Sequence, residues 1–247
     1  MIKCNLFLAT VGCLLLITTL APGQELTMPD KFENLRLTGE NAVGNTVRTY
    51  DGRYEGVKGH PYLSDEWLVG NVLLENEKEY QNVKLKYDAY QDQLIGLQQE
   101  KYPILLDKDK VRAFTMMAED SMEVFKFVKA KYLDHSLKRV DGDQYVQVLH
   151  QGIVSLFAVN RKLLNKANYR GAYNYGNKYD EFVNIEPTYY LAEAGEAHKL
   201  KLKKRKVIKS FASHMQAISR FIENEQLQLN NEESLLKLIA YYEEIKQ

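Results

Sequence analysis

Apolar and polar residues alternate at Val83, Leu85 and Tyr87, with Lys84 and Lys86 between them, the period of a strand with one buried and one wet face. The run Leu68 to Leu74 reads as a strand before it, and the polar link Glu75-Asn76-Glu77-Lys78 predicts that the two form an antiparallel hairpin. Asp88 to Asp92 turns the chain into a strand over Gln93 to Leu97, and further strands are expected at Val111 to Met116, Glu123 to Val128, Tyr145 to Leu149 and Ile153 to Val159. Turn-forming residues separate them at Asp107 to Lys110, Ala118 to Ser121, Asp141-Gly142-Asp143 and Gln151-Gly152. Short strands at intervals of roughly 10 to 20 residues, without long helical runs between them, predict an antiparallel meander, a curled sheet or a barrel. Lys162 to Glu186 has no clear period and reads as a long surface loop before a last strand at Thr188 to Leu191.

The period changes near the carboxyl end. Ile208, Phe211, Met215, Ile218 and Ile222 recur at three- and four-residue steps along one helix face, and Leu235, Leu238, Ile239 and Tyr242 do the same. Asn230 followed by Glu233 reads as a capping box opening the later helix. A β-rich body with two or three helices behind it is an α+β chain. Its expected divisions are a signal over 1–23, a loosely attached arm over 24–45, a β-rich domain over 46–203 and a helical segment over 204–247 packed on it.

The first residues have a different pattern. After Lys3, the stretch from Leu6 to Leu20 is apolar apart from threonines, no acid precedes Glu25, and the run ends at Ala21-Pro22-Gly23. Some 15 apolar residues are too few to span a bilayer, so the pattern predicts a secretory signal with Gln24 as the new amino terminus. Val11-Gly12-Cys13 suggests a lipid-attachment signal instead, but Leu14 to Ile17 continue the apolar run past that cysteine. Cys4 and Cys13 are the only cysteines, so the mature chain has no disulfide and no thiolate metal site. At about 220 residues its core is large enough to hold it together unaided. Loss of Lys3 leaves 32 basic against 33 acidic residues, a balance that excludes a globally basic nucleic-acid binder. Seventeen tyrosines against nine phenylalanines favour a sheet protein or a broad binding surface, because the ring is apolar and its tip polar.

Candidate chemistry is sparse. His60, His135, His150, His198 and His214 form no i, i+4 pair, so no metal site is expected. Asp134-His135 could orient an imidazole through its carboxylate. Asp107-Lys108-Asp109 and Asp141-Gly142-Asp143 lack the ligand spacing of a calcium loop and read as turns. Ser155 follows only one of the glycines of a nucleophile elbow and is expected in the core. The glycines from Gly44 to Gly59 precede no lysine-serine or lysine-threonine step, so no nucleotide or other cofactor is expected. Two features could make contact surfaces. Tyr169, Tyr173, Tyr175 and Tyr179 share a loop with Gly171 and Gly176, where the rings either stack on a sugar or a partner or pack on their own sheet. Lys199, Lys201, Lys203, Lys204, Arg205, Lys206 and Lys209 crowd eleven residues; with Leu200 and Leu202 turned inward they either form one wet face of a strand leading into the first helix or make contact with an anionic envelope surface such as phosphate-bearing lipid or polysaccharide. From this segment Lys201, Lys203, Lys204 and Arg205 are the candidate contact residues.

Gly59-His60-Pro61-Tyr62-Leu63, then Gly70-Asn71-Val72, then Tyr80 to Tyr90, together with the helical tail from Leu235 to Tyr242, resemble an uncharacterised family of secreted proteins from Bacteroidota. Its marks are a G-x-P-Y-L segment, a G-x-V strand and a Y-x-N-V-x-L-x-Y-[DN]-x-Y hairpin. The resemblance implies compartment and lineage but brings no activity with it. The expectation is an exported envelope protein, periplasmic or at the cell surface, that binds an envelope protein or glycan or serves a structural role. After signal cleavage no transmembrane segment is expected, and no nucleic acid is an expected partner. The alternative is a hydrolase or carbohydrate-acting enzyme whose carboxylates are brought together by folding.

Overall fold

The computed structural model describes residues 54–118, 123–167 and 179–246. Ten strands form one antiparallel sheet: β1 Leu68–Leu74, β2 Glu79–Asp88, β3 Gln93–Gln98, β4 Tyr102–Leu105, β5 Val111–Met117, β6 Val124–Lys129, β7 Tyr145–His150, β8 Val154–Asn165, β9 Glu181–Glu193 and β10 Glu196–Leu200. Three helices follow, α1 Lys204–Ser210, α2 Met215–Asn224 and α3 Glu232–Lys246. The chain is therefore α+β, a sheet with its helices at the carboxyl end. The spatial order β4-β3-β2-β1-β5-β6-β7-β8-β9-β10 is a meander with one interruption. After β4 the chain crosses back through the 3-10 turn Lys108–Lys110 and lays β5 beside β1. The sheet curls without closing, and β4 and β10 are its edges.

The first half of the sheet curls around its own core. Val72, Val83, Leu85 and Val111 are fully buried there, alternate positions of strands whose other face is wetter. Phe114 and Phe127 stack with centroids 4.8 Å apart, with Tyr87 and Tyr145 packed against them. Neither buried tyrosine hydroxyl is orphaned, because Tyr87 donates to Asp92 at 2.7 Å and Tyr145 to the Val111 carbonyl at 3.1 Å. The chain before β1 sews the curl to β9. Leu63 N donates to Tyr87 O at 2.9 Å, Ala89 N to Pro61 O at 3.0 Å and Phe182 N to Lys58 O at 2.9 Å. Gly59 makes that path possible, since its φ is +73° and a Cβ would lie 3.2 Å from the Phe182 carbonyl.

The second half is covered on both faces. Val154, Leu156 and Leu191 meet Val207, Phe211, Ile218, Leu235 and Tyr242 of the helical segment on one side. On the other, Leu133, Leu137 and Val140, from the stretch between β6 and β7, pack on Val146, Phe157, Val159 and Tyr190.

Several expectations need correction. Lys162 to Glu186 is not one long loop: β8 runs on to Asn165 and β9 starts at Glu181, and the pair stays in register from Arg161↔Ile185 to Asn165↔Glu181. Leu163 and Ile185 are exposed there, so the segment lacks the buried stripe that identifies a strand. The periodic run from Ile208 to Ile222 is two helices, because Phe211 leaves helical geometry at φ −106°, ψ 55° and the 3-10 turn Ala212–His214 follows. The bend buries Phe211 and leaves Met215 exposed. The last helix is capped by Asn231, one residue later than expected, whose Oδ1 accepts from Ser234 N at 2.9 Å.

Candidate binding groove

The stretch between β6 and β7 covers the outer face of β7 to β9 and stops short of β5 and β1. A groove of about 430 Å³ opens at that step. Its floor is formed by side chains on the outer faces of the strands, Leu73 of β1, Ala113 and Thr115 of β5, Val128 of β6, Val148 of β7 and Phe157 of β8, and Tyr132 to His135 form a wall. Apolar floor and polar rim together suit a ligand that is apolar on one face and hydrogen-bonding at its edge.

The rim chemistry differs from residue to residue. Asn71 is committed, donating from Nδ2 to Glu79 Oε1 at 3.1 Å and accepting from Asn82 N at 3.2 Å. Lys126 is exposed. His135 Nδ1 is buried and has no hydrogen-bond partner, so Asp134 does not orient the imidazole through that nitrogen as the sequence suggested. A buried ring nitrogen without a partner costs about 1 to 3 kcal/mol. Ser155 is half-buried and lines the groove instead of sitting in the core.

Tyr132 joins the groove to a charged cluster at the end of the curl. Its hydroxyl donates to Glu75 Oε2, and its ring lies 4.4 Å beneath the Arg112 guanidinium. Glu75 also accepts from the fully buried Lys129 at 2.8 Å and faces Lys131 at 3.5 Å, while Lys131 pairs with Asp143 at 2.9 Å. Desolvation pulls the Glu75 carboxyl upward, but the hydrogen bonds from Lys129 and Tyr132 and the charge of both lysines outweigh it and hold it below the usual glutamate range. Every group of this cluster is engaged by a neighbour, so it fixes the wall of the groove.

The residues singled out from sequence fall in separate places. Tyr169, Tyr173 and Tyr175 lie outside the described residues. Tyr179 is exposed, with the Lys58 ammonium 4.8 Å over its ring. Lys201, Lys203, Lys204 and Arg205 are exposed between the end of β10 and the first turn of α1, and Lys204 pairs with Glu223 at 3.2 Å. Leu200 pairs with Tyr189, far along β9 from Tyr179. At about 3.3 Å per residue the tyrosine and the lysines are roughly 30 Å apart and make no common surface. The aspartate turns do turn chemistry: Asp107 Oδ1 accepts from Asp109 N at 3.1 Å and Asp141 Oδ1 from Asp143 N at 2.9 Å. Among the described residues no three His, Cys, Asp or Glu side chains gather as a metal site would require, and no helix is long and apolar enough to cross a membrane.

Sequence reasoning missed the groove because its floor comes from five strands and none of its residues is chemically unusual. The usable signal was small and polar residues, Ala113, Thr115 and Asn71, at outward positions of strands whose inward positions are large and apolar. Comparison of the chain with family models, with curated proteins and with solved structures gives no match in any of the three.

Proposed function

We propose that this chain is an exported envelope protein that acts by binding, and that it holds an envelope glycan or a segment of an envelope protein in the groove walled by Tyr132 to His135. Export is supported by the signal pattern from Lys3 to Gly23 and by the resemblance to secreted proteins of Bacteroidota. Binding is supported by one observation above the rest. The sheet's outer face is left uncovered over β1, β5 and β6, beside a buried His135 nitrogen with no partner.

A screen of mono- and disaccharides against the isotope-labelled mature protein, read by amide shift changes, tests the reading. The expected result is shifts confined to residues such as Ala113, Thr115 and Val128, abolished in A113W, which fills the groove from β5 while remaining folded. Shifts that persist in A113W would remove the groove from the function.

The enzymatic alternative draws on Glu79 and Asp134 lining the same groove. It predicts hydrolysis of a bound saccharide, lost in both E79Q and D134N, whereas the binding reading expects saccharides to be recovered intact.

A further inference from the structure

A second concave site lies away from the groove, in the angle between β10 and α1. His198, Lys199 and Lys201 come from the strand and its exit, Lys206, Lys209 and Ser210 come from the helix, and together they line a hollow of about 390 Å³. The fold itself brings them together. Leu200 and Val207 are buried in the same core, and the link between strand and helix is short, with Lys203 N donating to Lys201 O at 2.7 Å and Val207 N to Lys203 O at 3.0 Å. Lys206 and Lys209 are three residues apart and so share one helix face.

The charges in this hollow are of one sign and unbalanced. No carboxylate is among its lining residues. Across the described residues, Lys204 alone of the seven cations between 199 and 209 holds an ion pair, to Glu223. On the neighbouring strand Glu193 is taken by Tyr242 at 2.7 Å and by Lys246, and Glu196, at the start of β10, is exposed and does not line the hollow. Other lysines of the chain are paired, as at Lys84–Glu100, Lys108–Asp92, Lys129–Glu75 and Lys237–Glu233. With 33 cations and 33 anions overall, four unpaired lysines around one hollow are a local excess and no consequence of net charge. Like charges at a concave surface add their potentials and concentrate counter-ions there. The donors are ammonium point charges, which bind the multiply charged oxygens of phosphates without the fixed geometry of a guanidinium fork.

We infer that the hollow between β10 and α1 binds clustered phosphate groups, a function separate from the groove. Phosphates of this kind come either as a free oligophosphate or as headgroups on a membrane surface, and two probes distinguish the sources. Sodium tripolyphosphate is titrated into the mature protein by calorimetry at about 0.15 M salt, where the screening length is about 8 Å, and vesicles of phosphatidylcholine containing phosphatidic acid are tested by co-flotation in the same buffer. K199S/K209S removes two charges from the hollow, while K203S/R205S removes two from the same stretch of chain outside it. All four positions are exposed, so both variants keep the core.

The expected result is saturable binding of at least one probe, weakened about twentyfold in K199S/K209S and by less than about twofold in K203S/R205S. Binding of tripolyphosphate alone assigns a free ligand, and binding to vesicles assigns headgroups. Absence of binding to both, equal losses in the two double variants, or equal binding of citrate would overturn the inference.

Discussion

Glu75 shows how one side chain contributes to the acid response of this molecule. A carboxyl held below its ordinary range in the folded chain contributes stability above about pH 4.3, where unfolded glutamates are ionised, and loses it as pH falls through the lower folded value. E75Q is therefore expected to cost about 2 kcal/mol at pH 7, the worth of hydrogen bonds to a charged group. The gap between E75Q and the natural chain should narrow below about pH 4. Urea unfolding at the two pH values measures this, and a gap that does not change would mean that Lys129 and Tyr132 do not hold the carboxylate. Gly70 is a second residue with no tolerance. A Cβ built there would lie 1.8 Å from the Thr115 carbonyl of β5, and that backbone is held in the β1–β5 ladder by Gly70↔Met116 and Asn71↔Thr115. G70A should cost about 3 kcal/mol or more in urea; an unchanged midpoint would mean that β1 and β5 pair less closely.

Elements were legible where burial alternates and obscure where it does not. β1 was read to its ends, since its exposure alternates at every residue from Leu68 to Leu74. β4 and the hairpin that opens β10 escaped notice for a reason of turn chemistry, although the end of β10 was legible as the wet face of a strand at Lys199 and Leu200. The hairpin before β4 places Gln99 and Glu100 at φ of 51° and 56°, and the one before β10 places Ala194 at 50° beside Gly195 at 86°. Two-residue turns with both φ positive favour Asn-Gly or Asp-Gly, and Gln-Glu and Ala-Gly give little sign of them. The last helix was placed correctly with the wrong cap, because Asn230 and Asn231 offer the same side chain. N231A is expected to cost about 1 kcal/mol and N231G only a few tenths. Thermal unfolding of the two variants separates them, and equal losses would shift the cap back toward Asn230.

For the whole molecule, the balance between hidden and readable information follows the range of the interactions. The α+β class is a sum of local periods and was available from the chain alone. The groove and the charged cluster around Lys129 need contacts between segments far apart in sequence, and the hollow at Lys206 needs a tight turn between a strand and a helix that are neighbours in sequence. Of the groove only the neighbouring pair Asp134-His135 was visible, and of the hollow only the density of lysines, without the turn at 201–203 that folds them together. The export reading applies to the entire chain and has its own measurement. The intact mass of protein recovered from its native envelope should correspond to a chain beginning at Gln24, whereas a mass that includes residues 1–23 or an added lipid on Cys13 would replace that reading.

β1 is paired on one side by β2, its neighbour in sequence, and on the other by β5, where Val72 meets Phe114 some forty residues later. During synthesis the chain emerges amino end first. The hairpins β1 to β4 can then assemble while the far edge of β1 is still bare. That edge stays unpaired until Met117 has followed, and closing so long a loop is slow compared with forming a hairpin. An unpaired strand edge invites pairing with other chains. The returning connection between β4 and β5 thus gives the newborn protein a period of vulnerability, and delivery of the chain in an unfolded, shielded state would shorten it.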